Sequence, residues 1–197
     1  MEAKETEMLF VIPDIGGYTS FMLAHQEDPE YAQGVVRQLM GAMLKEKGIP
    51  LQISSVEGDA LFLYAPRTDD ATWEADLDLI AGTIENFFVA FYAEARRLMG
   101  EKACGCNACA DIASLNVKIV VHLGRGIVDT LDTFTTVNGV DVIVAHRLLK
   151  NSLSGQYLLV TRPAFEACRF PRPERFVPHQ ETYKDIGTIE TLVYQAA

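Results

Sequence analysis

Two apolar runs in this chain stop at an aspartate that stands beside a glycine. Met8-Leu9-Phe10-Val11-Ile12 leads to Asp14 and then to Ile15-Gly16-Gly17-Tyr18-Thr19. Asp59, within Val56-Glu57-Gly58-Asp59-Ala60, separates a run from Ile49 to Val56 from a second run, Leu61 to Tyr64. Short apolar runs bounded by turn residues read as strands, so both carboxylates fall where a strand stops. Hard oxygens placed in this way suit Mg²⁺ or Mn²⁺, ions that in turn hold a polyphosphate. The plainer alternative is local: Asp14 caps the next helix and Asp59 turns a hairpin.

The elements that follow constrain the fold. Tyr18 to Ala24 begins a short helix, and Asp28-Pro29 reads as N-cap and first turn of a second helix ended by Gly48. Val35, Val36, Leu39, Met40 and Met43 recur there at helical spacing, so one face is buried. Thr68-Asp69-Asp70 opens the longest helix, whose stripe of Leu77, Ile80, Ile84, Phe87, Phe88, Phe91, Ala95 and Leu98 is core. Val117 to Val128 is β-branched and apolar, a long strand. Asn138 or Asp141 starts a helix through Val144, Leu148 and Leu149 that closes near Gly155; Tyr157 to Val160 is another strand, and Phe176 to Tyr194 holds one or two more. This order gives an α+β domain, an antiparallel or mixed sheet with helices packed on one face in the ferredoxin-like manner.

At 197 residues, 49% of them hydrophobic, the chain is expected to fold as a single domain over 1–197, with a core at about 8–161 and C-terminal strands at about 174–196. A formal net charge of −10 with no basic stripe argues against nucleic acid or an anionic membrane surface as partner. The charged start lacks the apolar centre of a signal peptide, and no apolar run approaches the roughly 20 residues of a membrane span. Cys104-Gly105-Cys106-Asn107-Ala108-Cys109 crowds three of the four cysteines together, which fits a reducing cytoplasm better than a disulfide framework. Three thiolates so close fill three positions of a tetrahedral Zn²⁺, with Cys168, His146 or Asp111 available as the fourth. The alternative is a loop of small, oxidation-sensitive thiols. Among the histidines, His25 reads as a solvated loop residue, His122 as a hydrogen-bonded core residue and His179 as surface; His146 faces a site or a partner chain. Lys118 and Arg125 can reach a phosphate from the long strand, though no spacing selects them.

Four stretches resemble the class III nucleotidyl cyclases (adenylate and guanylate cyclases), and more closely an uncharacterised bacterial family of cyclase-like proteins known as a domain of unknown function. Phe10 to Thr19 is similar to the cyclase opening strand, and Glu57-Gly58-Asp59-Ala60 to the Gly-Asp hairpin. Val117 to Gly124 is similar to the strand ending in His-x-Gly, and Val142-Ile143-Val144-Ala145-His146-Arg147-Leu148 to the helix written Val-Asn-x-Ala-x-Arg-Leu. The resemblance implies that Asp14 and Asp59, with the backbone carbonyl of Ile15, hold two divalent ions against a nucleoside triphosphate. It places the nucleotide against Gly16, Gly17, Tyr18, Thr19, Ser55 and Thr136. Arg147 would stabilise charge on the transferring phosphoryl group across a head-to-tail homodimer. Tyr18, by its own character, reads as core packing. Two departures cut against cyclisation. Ser55 stands where active cyclases carry a base-reading lysine, and Ile143 where they carry an asparagine whose amide supports the transition state. Three readings follow: a metal-dependent cyclase-like enzyme of atypical or weak activity; an inactive cyclase-homology module that binds nucleotide or a partner; or a zinc- or redox-responsive regulator built on Cys104, Cys106 and Cys109.

Overall fold

The computed structural model describes residues 4–48, 50–101, 107–132 and 134–195. An 8-stranded mixed sheet runs in the order β2-β3-β1-β4-β6-β8-β7, with β5 paired to the far end of β4. The strands are β1 (Glu5–Gly16), β2 (Gln52–Glu57), β3 (Ala60–Pro66), β4 (Asn116–Leu131), β5 (Phe134–Asn138), β6 (Tyr157–Thr161), β7 (Val177–Tyr183) and β8 (Gly187–Tyr194). The helices are α1 (Tyr18–Ala24), α2 (Pro29–Lys45), α3 (Trp73–Glu101), α4 (Asn107–Ser114), α5 (Val140–Leu148) and α6 (Arg162–Ala167). Among the described residues only β4 and β6 pair in parallel; the ladders of β1 with β3 and with β4 are antiparallel. No helix among the described residues is long and apolar enough to cross a membrane.

Alternation along β1 divides the interior into two cores. Leu9, Val11 and Ile15 join the stripes of α2 and α3 on one face, as the helical spacing predicts. Met8, Phe10 and Ile12 point to the other face, where Val144, Ala145 and Leu148 of α5 cover them. The main helical layer therefore lies on one face, and the short α5 is set apart on the opposite one. Two boundaries differ from those predicted. Asp69 makes an Asx turn, accepting from the Ala71 amide at 2.9 Å, so Thr68 to Asp70 forms the approach to α3 and the helix begins at Trp73. The second helix ends at Lys45, before Gly48. Strand β5 and helices α4 and α6 are short elements that the periodicity did not resolve.

A buried polar bridge seats α5. His122 on β4 is 6% exposed; its Nδ1 lies 3.1 Å from the Thr161 hydroxyl on β6 and its Nε2 lies 3.3 Å from Asp141 Oδ1 in the first turn of α5. With the proton on Nε2, the ring donates to Asp141 and accepts from Thr161. The Arg125 amide donates to Asp141 Oδ2 at 2.6 Å. The His122 hydrogen bond, together with that amide, holds the Asp141 carboxyl below the ordinary carboxylate range despite its burial. Position 124 must be glycine, because a Cβ there would sit 2.4 Å from Asp141 Cγ. Removing the carboxylate orphans two donors, and hydrogen bonds to a charged group are worth roughly 2 kcal/mol. Asp141→Ala should therefore lower the unfolding free energy by about that amount in urea titrations, and an unchanged midpoint would rule out this anchor.

Candidate metal and nucleotide site

The end of β1 brings the two predicted carboxylates together. Asp14 pairs in register with Ala60 of β3 and Lys118 of β4. Alternation puts its side chain on the α5 face, where it is 9% exposed. Gly58 takes a positive φ of 63° to reverse the chain, and the Ile15 amide donates to the Asp59 carbonyl at 3.2 Å, which pins the β2–β3 turn against β1. The Asp59 carboxyl is thereby brought close enough to Asp14 for the two charges to interact. Burial, then the adjacent negative charge of Asp14, pushes the Asp59 carboxyl up from 3.8 to about 6. Such mutual repulsion is what a divalent cation relieves, so the donor set fits Mg²⁺ or Mn²⁺.

A third group completes the cluster. Lys118 Nζ lies 2.6 Å from Asp14 Oδ2, with its side chain 23% exposed. Burial pulls this ammonium down, but the Asp14 hydrogen bond and charge outweigh it and hold Lys118 above its ordinary range. Tyr157 of β6 stands beside Lys118 in register, fully buried, and its hydroxyl accepts from Asn151 Nδ2 at 2.8 Å. From the sequence Lys118 was only one of two basic residues on the long strand. The Asp14–Lys118 register, which requires knowing that β1 and β4 are antiparallel neighbours, is what selects it.

The remaining predicted residues are distributed as follows. Gly16 packs against Asn116, whose Oδ1 would lie 2.3 Å from an added Cβ, and Gly17 takes a φ of 88° as the N-cap of α1. Tyr18 packs on the α2–α3 core, as its character predicts, and Thr19 is exposed. Ser55 faces Phe62 across the β2–β3 ladder and donates to Glu57 at 3.0 Å. Thr136 lies on β5, which packs near β2, and accepts from Asn138 Nδ2 at 3.2 Å. Arg147, on α5, lies 4.0 Å from Asp185 in the β7–β8 turn, with its side chain 48% exposed. Among the described residues no ion pair joins it to Asp14 or Asp59. Ile143 is 54% exposed on the outer side of α5, and His146 stacks on Phe62 with ring centroids 4.6 Å apart.

Cys104 and Cys106 lie outside the described residues, as does the Cys109 side chain, although Cys109 falls within α4. Cys168 is buried in the helical core, where burial pushes its thiol up to about 12. It is separated by the sheet from His146, on the α5 face, so these two do not meet at one ion. Asp111 pairs with His25 at 3.2 Å. His25 is not a solvated loop residue: its ring packs on Phe21 with centroids 4.7 Å apart, because α1 folds back on α2. His179, expected at the surface, is half-buried and lies 2.7 Å from Glu181.

Known proteins place this architecture. The profile of the family described as protein of unknown function DUF2652 matches residues 36–157, more than half of the chain. The chain belongs to that family. The DUF2652 chain is 27% identical over 112 residues to an uncharacterized protein of Mycobacterium tuberculosis, a match covering 56% of this chain and 50% of that protein. It thus spans about half the length of that relative. The adenylyl cyclase CyaB from P. aeruginosa superposes with a TM-score of 0.72 at 14% identity, over 100% of this chain and 98% of that one. The guanylyl cyclase Cya2 superposes with a TM-score of 0.77 at 15% identity, over 100% and 96%. The DUF2652 chain therefore has the class III cyclase fold.

The raised Asp59 pKa makes a pH prediction. Its folded value lies above the ordinary 3.8, so the unfolded chain binds fewer protons at this position between about pH 4 and 6. The stability carried by that proton is full below about pH 4 and is lost as the pH rises through about 6. Asp59→Asn keeps the shape and removes the repulsion, so at pH 7 it should stabilise the metal-free protein. After discounting for partial exposure the gain is about 1–2 kcal/mol. The difference from wild type should close as the pH is lowered to about 4. Paired urea titrations at both pH values measure it, and a pH-independent difference would contradict the assignment.

Proposed function

We propose that this protein binds a nucleoside triphosphate, or a related phosphorylated ligand, through a divalent cation held by Asp14 and Asp59. The observation that carries the proposal is the meeting of these two carboxylates at the mouth of the sheet, where the charge repulsion between them favours a cation. Mg²⁺ or Mn²⁺ would be held by the two carboxylates and the Ile15 carbonyl, and it would supply charge neutralisation for the polyphosphate. The protein's own groups do the rest. Gly17, exposed at the start of α1, leaves the backbone open to phosphate oxygens, and Ser55 on β2 and Thr136 on β5 provide hydroxyls for a base. Arg147 serves a phosphate of a site completed by a second copy of the chain, because in its own chain it is turned toward Asp185. That separation favours a head-to-tail homodimer as the working unit.

Turnover is a separate matter. Ile143 offers no hydrogen-bond donor where the resemblance calls for one, and loss of one such donor costs roughly 10²–10³ in rate. Cyclisation of ATP or GTP is therefore weak. A second reading, nucleotide binding without turnover in a cyclase-homology signalling module, draws on the same exposed, apolar Ile143.

The test is thermal unfolding with ATP, GTP, CTP and UTP, each with Mg²⁺ or Mn²⁺. A ligand at 100 times its Kd adds about 2.7 kcal/mol, a clear rise in melting temperature. A metal-dependent shift that disappears in Asp14→Ala is the expected result, and product analysis then separates turnover from binding. A shift of equal size in Asp14→Ala, or no shift with any nucleotide, sinks the proposal.

A further inference from the structure

Asp14 is a buried anion, and a buried anion persists only where a cation or several donors answer it. The described residues supply one such cation. Lys118 Nζ reaches Asp14 Oδ2 at 2.6 Å from the directly opposed position on β4. Its backbone is firmly placed: Val117 and Ile119 on either side are buried in the opposite core, and Tyr157 is in register beside it on β6, itself held by Asn151. Asn151 Nδ2 also donates to the Leu148 carbonyl at 2.6 Å, so the wall behind Lys118 is tied to the end of α5. The ammonium therefore answers Asp14 from a rigid strand and not from a loop, while among the described residues no ion pair joins it to Asp59.

We infer that Lys118 is the resident cation of this site: its ammonium takes the place of one of two divalent ions, and the site accepts a single divalent ion beside Asp59. The inference rests on the metal reading of Asp14 and Asp59 and narrows it. A fixed ammonium 2.6 Å from Asp14 Oδ2 repels a divalent ion from that oxygen, leaving Asp59 and the other oxygen of Asp14 as its ligands. The same ammonium, having three donors, offers a second positive centre to a phosphate oxygen of the bound nucleotide. Lys118 acts here as a positioning residue that sets metal stoichiometry.

The experiment uses Mn²⁺ alone with the full chain, following free Mn²⁺ by electron paramagnetic resonance and heat by calorimetry. Wild type and Lys118→Arg should bind no more than one ion per chain. Lys118→Met should bind a second ion, or bind the first at least roughly tenfold more tightly, because the competing charge is gone. Lys118→Gln, which keeps a donor for Asp14 while losing the charge, should behave like Lys118→Met and covers the case in which Lys118→Met fails to fold. Equal stoichiometry and affinity in wild type and both neutral variants, with binding still abolished by Asp14→Ala, overturns the role of Lys118 and leaves the metal reading standing. Two ions on the wild type do the same. No Mn²⁺ on any of the proteins overturns the metal reading itself, and the inference with it.

Discussion

Strand β1 lies between β3 and β4 with every residue from Met8 to Gly16 buried, and a carboxylate stands near its end. An ion in that setting costs several kcal/mol unless it is paired. The antiparallel partner strand answers it directly, because the register that sets Phe10 against His122 also sets Asp14 against Lys118. The turn after β2 then adds a second carboxylate, Asp59, which the same lysine only partly neutralises. The result is a cluster of excess negative charge built by ladder geometry, in which the hydrophobic sheet and the polar cluster are products of a single register.

The two faces of the sheet divide the work. The helical face, with α2 and α3, carries most of the apolar burial and the aromatic cluster of Phe165, Phe170 and Phe176 near the C-terminal strands. The α5 face carries the buried polar groups: Asp14, Lys118, Tyr157 and the His122–Asp141 bridge all project there. Hydrophobic area is non-directional and tolerates exchange of similar volumes, whereas the polar face depends on individual distances.

Much of this division was legible in the sequence. The apolar runs and helical stripes gave β1, β3, α2, α3 and the core of β4, because long elements buried on one or both faces leave a strong period. Asp14 and Asp59 could be marked by their position at strand ends, and His122 as a core histidine by its place in a β-branched run. What stayed hidden depended on pairing between strands distant in the chain. The union of Lys118 with Asp14, the packing of Tyr157 beside it and the seating of α5 on the far face all require the sheet order, which no local pattern encodes. His25 differs from the expectation for a related reason: it sits in a polar stretch, yet Tyr31 of α2 and Asp111 of α4 pack against it, whereas His179 is drawn in by Glu181 two residues along its own strand. Strand β5 leaves no signal in the sequence because it is a polar, short strand that, among the described residues, pairs with the extension of β4.

Helix α5 is held by Asp141 at its start and by Val144, Ala145 and Leu148 along its inner side, while Val140 and Ile143 face outward at 75% and 54% exposure. Anchor and display thus occupy different positions of one helix. Residues on the display side can be exchanged without disturbing the attachment, so this fold can shed or acquire a reactive group there in a single substitution while its architecture persists. What the helix displays is thereby separable from what anchors it, so the cyclase fold is indifferent to the isoleucine at position 143.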